Sequence, residues 1–86
     1  MEIKKKVILR SVAGEYMLMP VGDAVFQYNG IFMLTESAYL LWKSIVDGGE
    51  KEDLVNILMN EYEIDRETAV GDVTDFLCEL SSYGII

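Results

Sequence analysis

The side chains that most often do chemistry are scarce in this chain. It has no histidine, so imidazole acid–base catalysis and imidazole metal ligation are outside its repertoire. The one cysteine, Cys78, cannot form a thiolate zinc or iron–sulfur site alone. No base or cation lies near it in sequence to activate the sulfur, so a small buried hydrophobe is the better reading of it. Neither a GxxxxGK nor a GxGxxG loop is present to cradle phosphate. Carboxylates are plentiful, but their regular spacing on amphipathic segments is that of solvated helix faces. Ser37 offers the hydroxyl that a carrier protein needs for its prosthetic arm. It sits in Glu-Ser-Ala rather than Asp-Ser-Leu, so the carrier reading is discounted. The inventory points to a domain that is not an enzyme, with no catalytic residue, no metal site and no cofactor.

Length and charge narrow the partners. A chain of 86 residues fits one domain over residues 1–86, large enough for a modest core. About half of it is apolar (51%) and only one proline occurs, a globular rather than a disordered composition. A net charge of −8 argues against nucleic acid or an anionic membrane as partner. No apolar run approaches the roughly 20 residues of a spanning helix. Lys4–Lys6 lead into an apolar run too short for a signal peptide, and with one cysteine a reduced, cytoplasmic setting is expected. That basic cluster, with Arg10, reads as a solvated tail.

The elements that must position any site follow from periodicity. Residues 7–12 form a β-type run that stops at Ala13-Gly14, and residues 15–21 form a second, stopped by Pro20 and Gly22-Asp23. A hairpin across Ala13-Gly14 fits the short loop. Residues 24–28 are a further run, and Asn29-Gly30 either closes another hairpin or bends one long strand. Ile31–Leu34 is read as the third main strand. Thr35 then caps a helix whose stripe is Ala38, Leu41, Trp42 and Ile45, ended by Gly48-Gly49. Trp42 on that stripe is expected to be structural. Glu50, Glu52 and Asp53 open a second helix with Leu54, Ile57, Leu58 and Tyr62 along one side. Asp65 caps a third, with Ala69, Val73, Phe76, Leu77 and Leu80, before Gly84. The expected fold class is α+β, a three-stranded antiparallel sheet followed by three helices, β-β-β-α-α-α.

That outline is winged helix-turn-helix-like, and such folds commonly read DNA. The third helix contradicts that use. It carries Asp65, Glu67, Asp72, Asp75 and Glu79 against Arg66 alone, where DNA affinity would need Lys and Arg to displace counterions. A DNA-binding transcriptional regulator is therefore the alternative, not the leading reading.

Leu34-Thr35-Glu36-Ser37-Ala38 followed by Leu41-Trp42 is similar to the LNxT…IW signature of the PqqD-like family. Asp47-Gly48-Gly49, Glu61-Tyr62-Glu63-Ile64-Asp65, then Asp72-Val73, Phe76-Leu77, Leu80 and Gly84-Ile85-Ile86 continue the pattern. Val12-Ala13-Gly14-Glu15 and Pro20-Val21-Gly22 resemble its amino-terminal part, so the likeness runs from about Val7 to Ile86. Thr35 stands where the family usually has Asn, and both residues cap helices. The resemblance implies a recognition element that binds the leader segment of a ribosomally made precursor peptide as an added strand. It also implies presentation of that peptide to a modifying enzyme, often a radical S-adenosylmethionine enzyme.

The residues suit that mode. Strand addition needs a free edge and pockets for alternate side chains. Ile31, Phe32, Met33 and Leu34 are all apolar, more than a half-solvated strand needs. Periodicity fits equally a strand sandwiched between core and helix and one whose outer side chains await a peptide, and the resemblance favours the second. On the third helix Val70, Thr74, Leu77, Cys78 and Ser81 form a second uncharged strip beside Val73, and these residues with Ile31–Leu34 are the expected peptide-binding set. An apolar edge also invites self-pairing, so a monomer and a weak dimer both fit. Duplex DNA should bind no more tightly than about micromolar at physiological salt. Fluorescence anisotropy checks this, with a chain lacking residues 1–6 as control for the basic tail.

Overall fold

The structure, a computed structural model, describes residues 1–21 and 31–86; the run at 24–28 and the Asn29-Gly30 turn lie outside the described residues. Val7–Val12 (β1) and Glu15–Pro20 (β2) pair antiparallel, with Val12 opposite Glu15 and Val7 opposite Pro20. Between them Ala13 and Gly14 take positive φ, 53° and 80°, as a type I′ turn requires for its twist to match the strands. Phe32–Leu34 (β3) pairs antiparallel with the other side of β2, Met33 opposite Met17. The order β1-β2-β3 leaves β3 at an edge among the described residues.

Three helices follow: Glu36–Val46 (α1), Lys51–Tyr62 (α2) and Arg66–Ser82 (α3). Local chemistry sets their starts. Thr35 Oγ1 accepts from the Ala38 N–H at 3.1 Å, and Asp65 Oδ1 accepts from the Thr68 N–H at 2.8 Å. At α2 the Asp53 carboxylate accepts from the Glu50 N–H at 2.8 Å, one half of a capping box. Past α1, Gly48 adopts φ 93° and the Gly49 N–H donates to the Ser44 carbonyl at 2.7 Å. A Cβ on Gly49 would collide with Ser44, so this reversal needs glycine.

The core lies between one face of the sheet and the helices. Leu18 comes from β2, Phe32 and Leu34 from β3, and Leu41, Trp42 and Ile45 from α1. The helical stripe of α3 is buried at Ala69, Val73, Phe76 and Leu80, as periodicity predicts. On α2 the burial is shifted: Leu54, Val55 and Leu58 are buried, Ile57 is half-buried and Tyr62 exposed. The reason is that α2 packs against both α1 and α3, so its buried arc extends round to Val55. β1 buries nothing fully and stands as an outer wing.

The amino-terminal segment is docked rather than a free tail, although Lys4, Lys6 and Arg10 themselves are exposed as expected. The Lys4 N–H donates to the Ile85 carbonyl at 2.7 Å, and the Met1 ammonium lies 3.4 Å from a Glu50 carboxylate oxygen. Met1 also packs on the core, and Ile85 is completely buried. Apolar residues at both ends of the chain thus anchor the backbone of this segment to the domain.

Trp42 is 4% exposed within this core. Trp42→Ala should lower the unfolding free energy by about 3–5 kcal/mol, most of what a domain this small has. Urea unfolding followed by circular dichroism measures it.

Candidate functional site

Side chains of a strand point alternately to its two faces, and β3 obeys this sharply. Phe32 and Leu34 are each 6% exposed, while Ile31 and Met33 are 50% and 51% exposed. The over-apolar segment therefore divides into an inward pair that belongs to the core and an outward pair displayed at the edge. Phe32 meets Phe76 edge-on at 6.4 Å and Tyr83 at 5.1 Å between ring centres. This cluster ties β3 to α3 while leaving the space beside it open.

That space is a groove of about 810 Å³. Met33, Thr35, Ser37 and Ala38 form one bank, and Tyr62 and Ile64 stand at its side. The buried residues Phe32, Leu41, Leu58 and Phe76 supply an apolar floor. α3 forms the other bank with Asp72, Asp75, Cys78, Glu79 and Ser82.

The structure divides the expected α3 residues. Successive residues turn about 100° around a helix, so with Phe76 inward, Asp72, Asp75 and Glu79 fall on one flank and Val70, Leu77 and Ser81 on the other. Val73 is fully buried in the core, and Val70 is half-buried against it. Thr74, Leu77 and Ser81 line a separate depression with Met1, Lys4, Lys51 and Ile86. Cys78 borders both spaces and is exposed, correcting its reading as a buried residue. An uncharged strip looks like the binding flank in sequence because charge ordinarily marks solvent. Here the docked amino-terminal segment borders that strip, and the charged flank faces the groove.

The groove is electronegative. The Tyr62 phenol is pushed above its ordinary value, first by loss of water around it and then by Glu36 and Glu61. Arg66, the one cation of α3, forks onto Glu52 of α2 at 2.6 and 2.8 Å. That bond holds the Glu52 carboxyl below its ordinary range. Asp72, Asp75 and Glu79 take no part in the ion pairs found among the described residues. No group of three or more His, Cys, Asp or Glu among those residues could hold a metal ion, and no helix among them is long and apolar enough to cross a membrane.

The family model for coenzyme PQQ synthesis protein D (PqqD) matches residues 6–86. The chain belongs to the PqqD family. No curated protein matches it significantly in sequence. Among solved structures it is similar to TbiB1 in complex with the TbiA(beta) leader peptide, with 25% identity and a TM-score of 0.80. That match covers 99% of this chain and 93% of the TbiB1 chain, so the PqqD fold described above is shared along its length.

The alternation of β3 has a measurable consequence. Met33→Glu should change the unfolding free energy by no more than about 0.5 kcal/mol, while Phe32→Ala should cost about 3–5 kcal/mol. Equal costs in chemical denaturation would contradict the division of the strand into inward and outward pairs.

Proposed function

We propose that this PqqD-family domain binds the leader segment of a ribosomally made precursor peptide by strand addition to β3 and presents it to a modifying enzyme. The observation that carries the reading is the edge position of β3 with Ile31 and Met33 displayed, directly beside a groove with an apolar floor. An added strand gains backbone hydrogen bonds from the edge, and its inward side chains enter the groove. The similarity to TbiB1, a protein solved with a leader peptide, supports the same use here. The acidic bank of α3 speaks against the DNA-regulator alternative.

In this reading the domain does no chemistry; it holds the peptide while the enzyme, a radical S-adenosylmethionine maturase by the family resemblance, acts beyond the leader. The encounter belongs in the cytoplasm, where an exposed Cys78 stays reduced. The contact set comprises Ile31–Leu34 with the groove flank of α3, Cys78 included; Val70, Thr74, Leu77 and Ser81 lie on the other side of that helix.

Titration with the leader of the precursor encoded beside this gene should shift amide resonances at 31–35 and along 72–82. Cys78→Arg should weaken binding at least several-fold with the unfolding midpoint nearly unchanged, while Lys51→Ala should leave affinity as it is. Shifts confined to α1 and α2 would overturn the binding mode.

A further inference from the structure

We infer that the β3–α3 groove selects a strand-forming segment that carries Lys or Arg on its inward face, with Asp72, Asp75 and Glu79 as the selecting bank. The inference rests on the leader-binding reading and narrows its substrate class.

Three features of the groove converge on that occupant. The floor is apolar at Leu41, Leu58 and Phe76, whereas the bank above it carries three carboxylates. Long basic side chains satisfy both, because their methylene stems lie on apolar surface while the charged head reaches outward. A purely apolar side chain would leave the carboxylates to water, and an acidic one would meet like charge. Spacing agrees as well. With a rise of about 1.5 Å per residue, Asp72 and Glu79 are offset by roughly 10 Å along the helix, with Asp75 between them. Side chains on one face of an extended peptide recur every 6–7 Å or so, so two alternate basic residues span the row.

Among the described residues, no ion pair engages the three carboxylates. Arg66 is committed to Glu52, and Glu36 and Glu61 extend the negative region to Tyr62. The net charge of −8 adds attraction at a distance, which speeds the encounter of a cationic peptide.

The test is selection of a displayed random octapeptide library on the folded protein. Lys and Arg should be enriched at alternate positions, and Asp and Glu depleted. The triple variant Asp72→Asn, Asp75→Asn, Glu79→Gln should lose that bias. A selected peptide should bind the triple variant about ten-fold more weakly at low salt, with the gap closing near 1 M salt. All three residues are exposed, so the variant should fold; Glu79→Lys alone serves as a second probe and should favour acidic residues locally. Selected peptides that shift the Ile31–Leu34 amides without any basic bias would overturn the charge selection and leave the leader reading standing. If no peptide is enriched, both fall.

Discussion

The site depends on one aromatic side chain. β3 is three residues long, and what holds it to α3 is Phe32, set edge-on against Phe76 and Tyr83. Rings in this geometry keep their centres several ångströms apart, so they act as a spacer as well as a tie. The strand is thereby held near the helix without closing onto it, and the groove is the remaining gap. Once Phe32 is committed inward, the pleat turns Ile31 and Met33 outward, and the edge is displayed because the core is satisfied. On the proposed binding mode, stability and recognition fall to adjacent residues of one strand.

Local chemistry made most of this fold legible from sequence. Thr35 and Asp65 cap helices through bonds to residues three positions on, and Ala13-Gly14 closes a hairpin through its own backbone angles. The α1 and α3 stripes follow from a single period. What escaped was set by distant contacts. The burial of Val55 arises because α2 has neighbours on two sides, and the docking of the amino terminus needs Lys4 to meet Ile85. The rotation of α3 is set by distant contacts as well. Periodicity gives its buried stripe, but which flank then faces β3 depends on where the strand and the amino-terminal segment settle. A charged flank lining a groove and a charged flank in solvent look identical in sequence.

The comparison with DNA readers of similar outline is instructive. They share a small sheet and a last helix offered to a ligand, but an α3 with one Arg, already paired to Glu52, cannot attract phosphate. Strand addition does not need that attraction, since edge N–H and C=O groups supply hydrogen bonds to any sequence. Generic backbone pairing means that selectivity has to come from the side chains around the groove. On this domain that leaves an apolar floor and an acidic bank.

The acidic bank is also unfavourable to the helix that carries it. Asp72 and Asp75 are three residues apart and Asp75 and Glu79 four, spacings at which like charges on a helix repel. Glu79 lies in the carboxyl-terminal part of α3, where the helix dipole disfavours a negative charge and where no basic residue occupies the last turn. Each effect is a few tenths of a kcal/mol at an exposed site, and none of the three carboxylates recovers it through an ion pair among the described residues. Folding is secured instead by Ala69, Val73, Phe76 and Leu80, which are buried irrespective of that flank. On the proposed selection, a cation placed in the groove would relieve the repulsion within the row, and part of the affinity of a basic peptide would come from that relief.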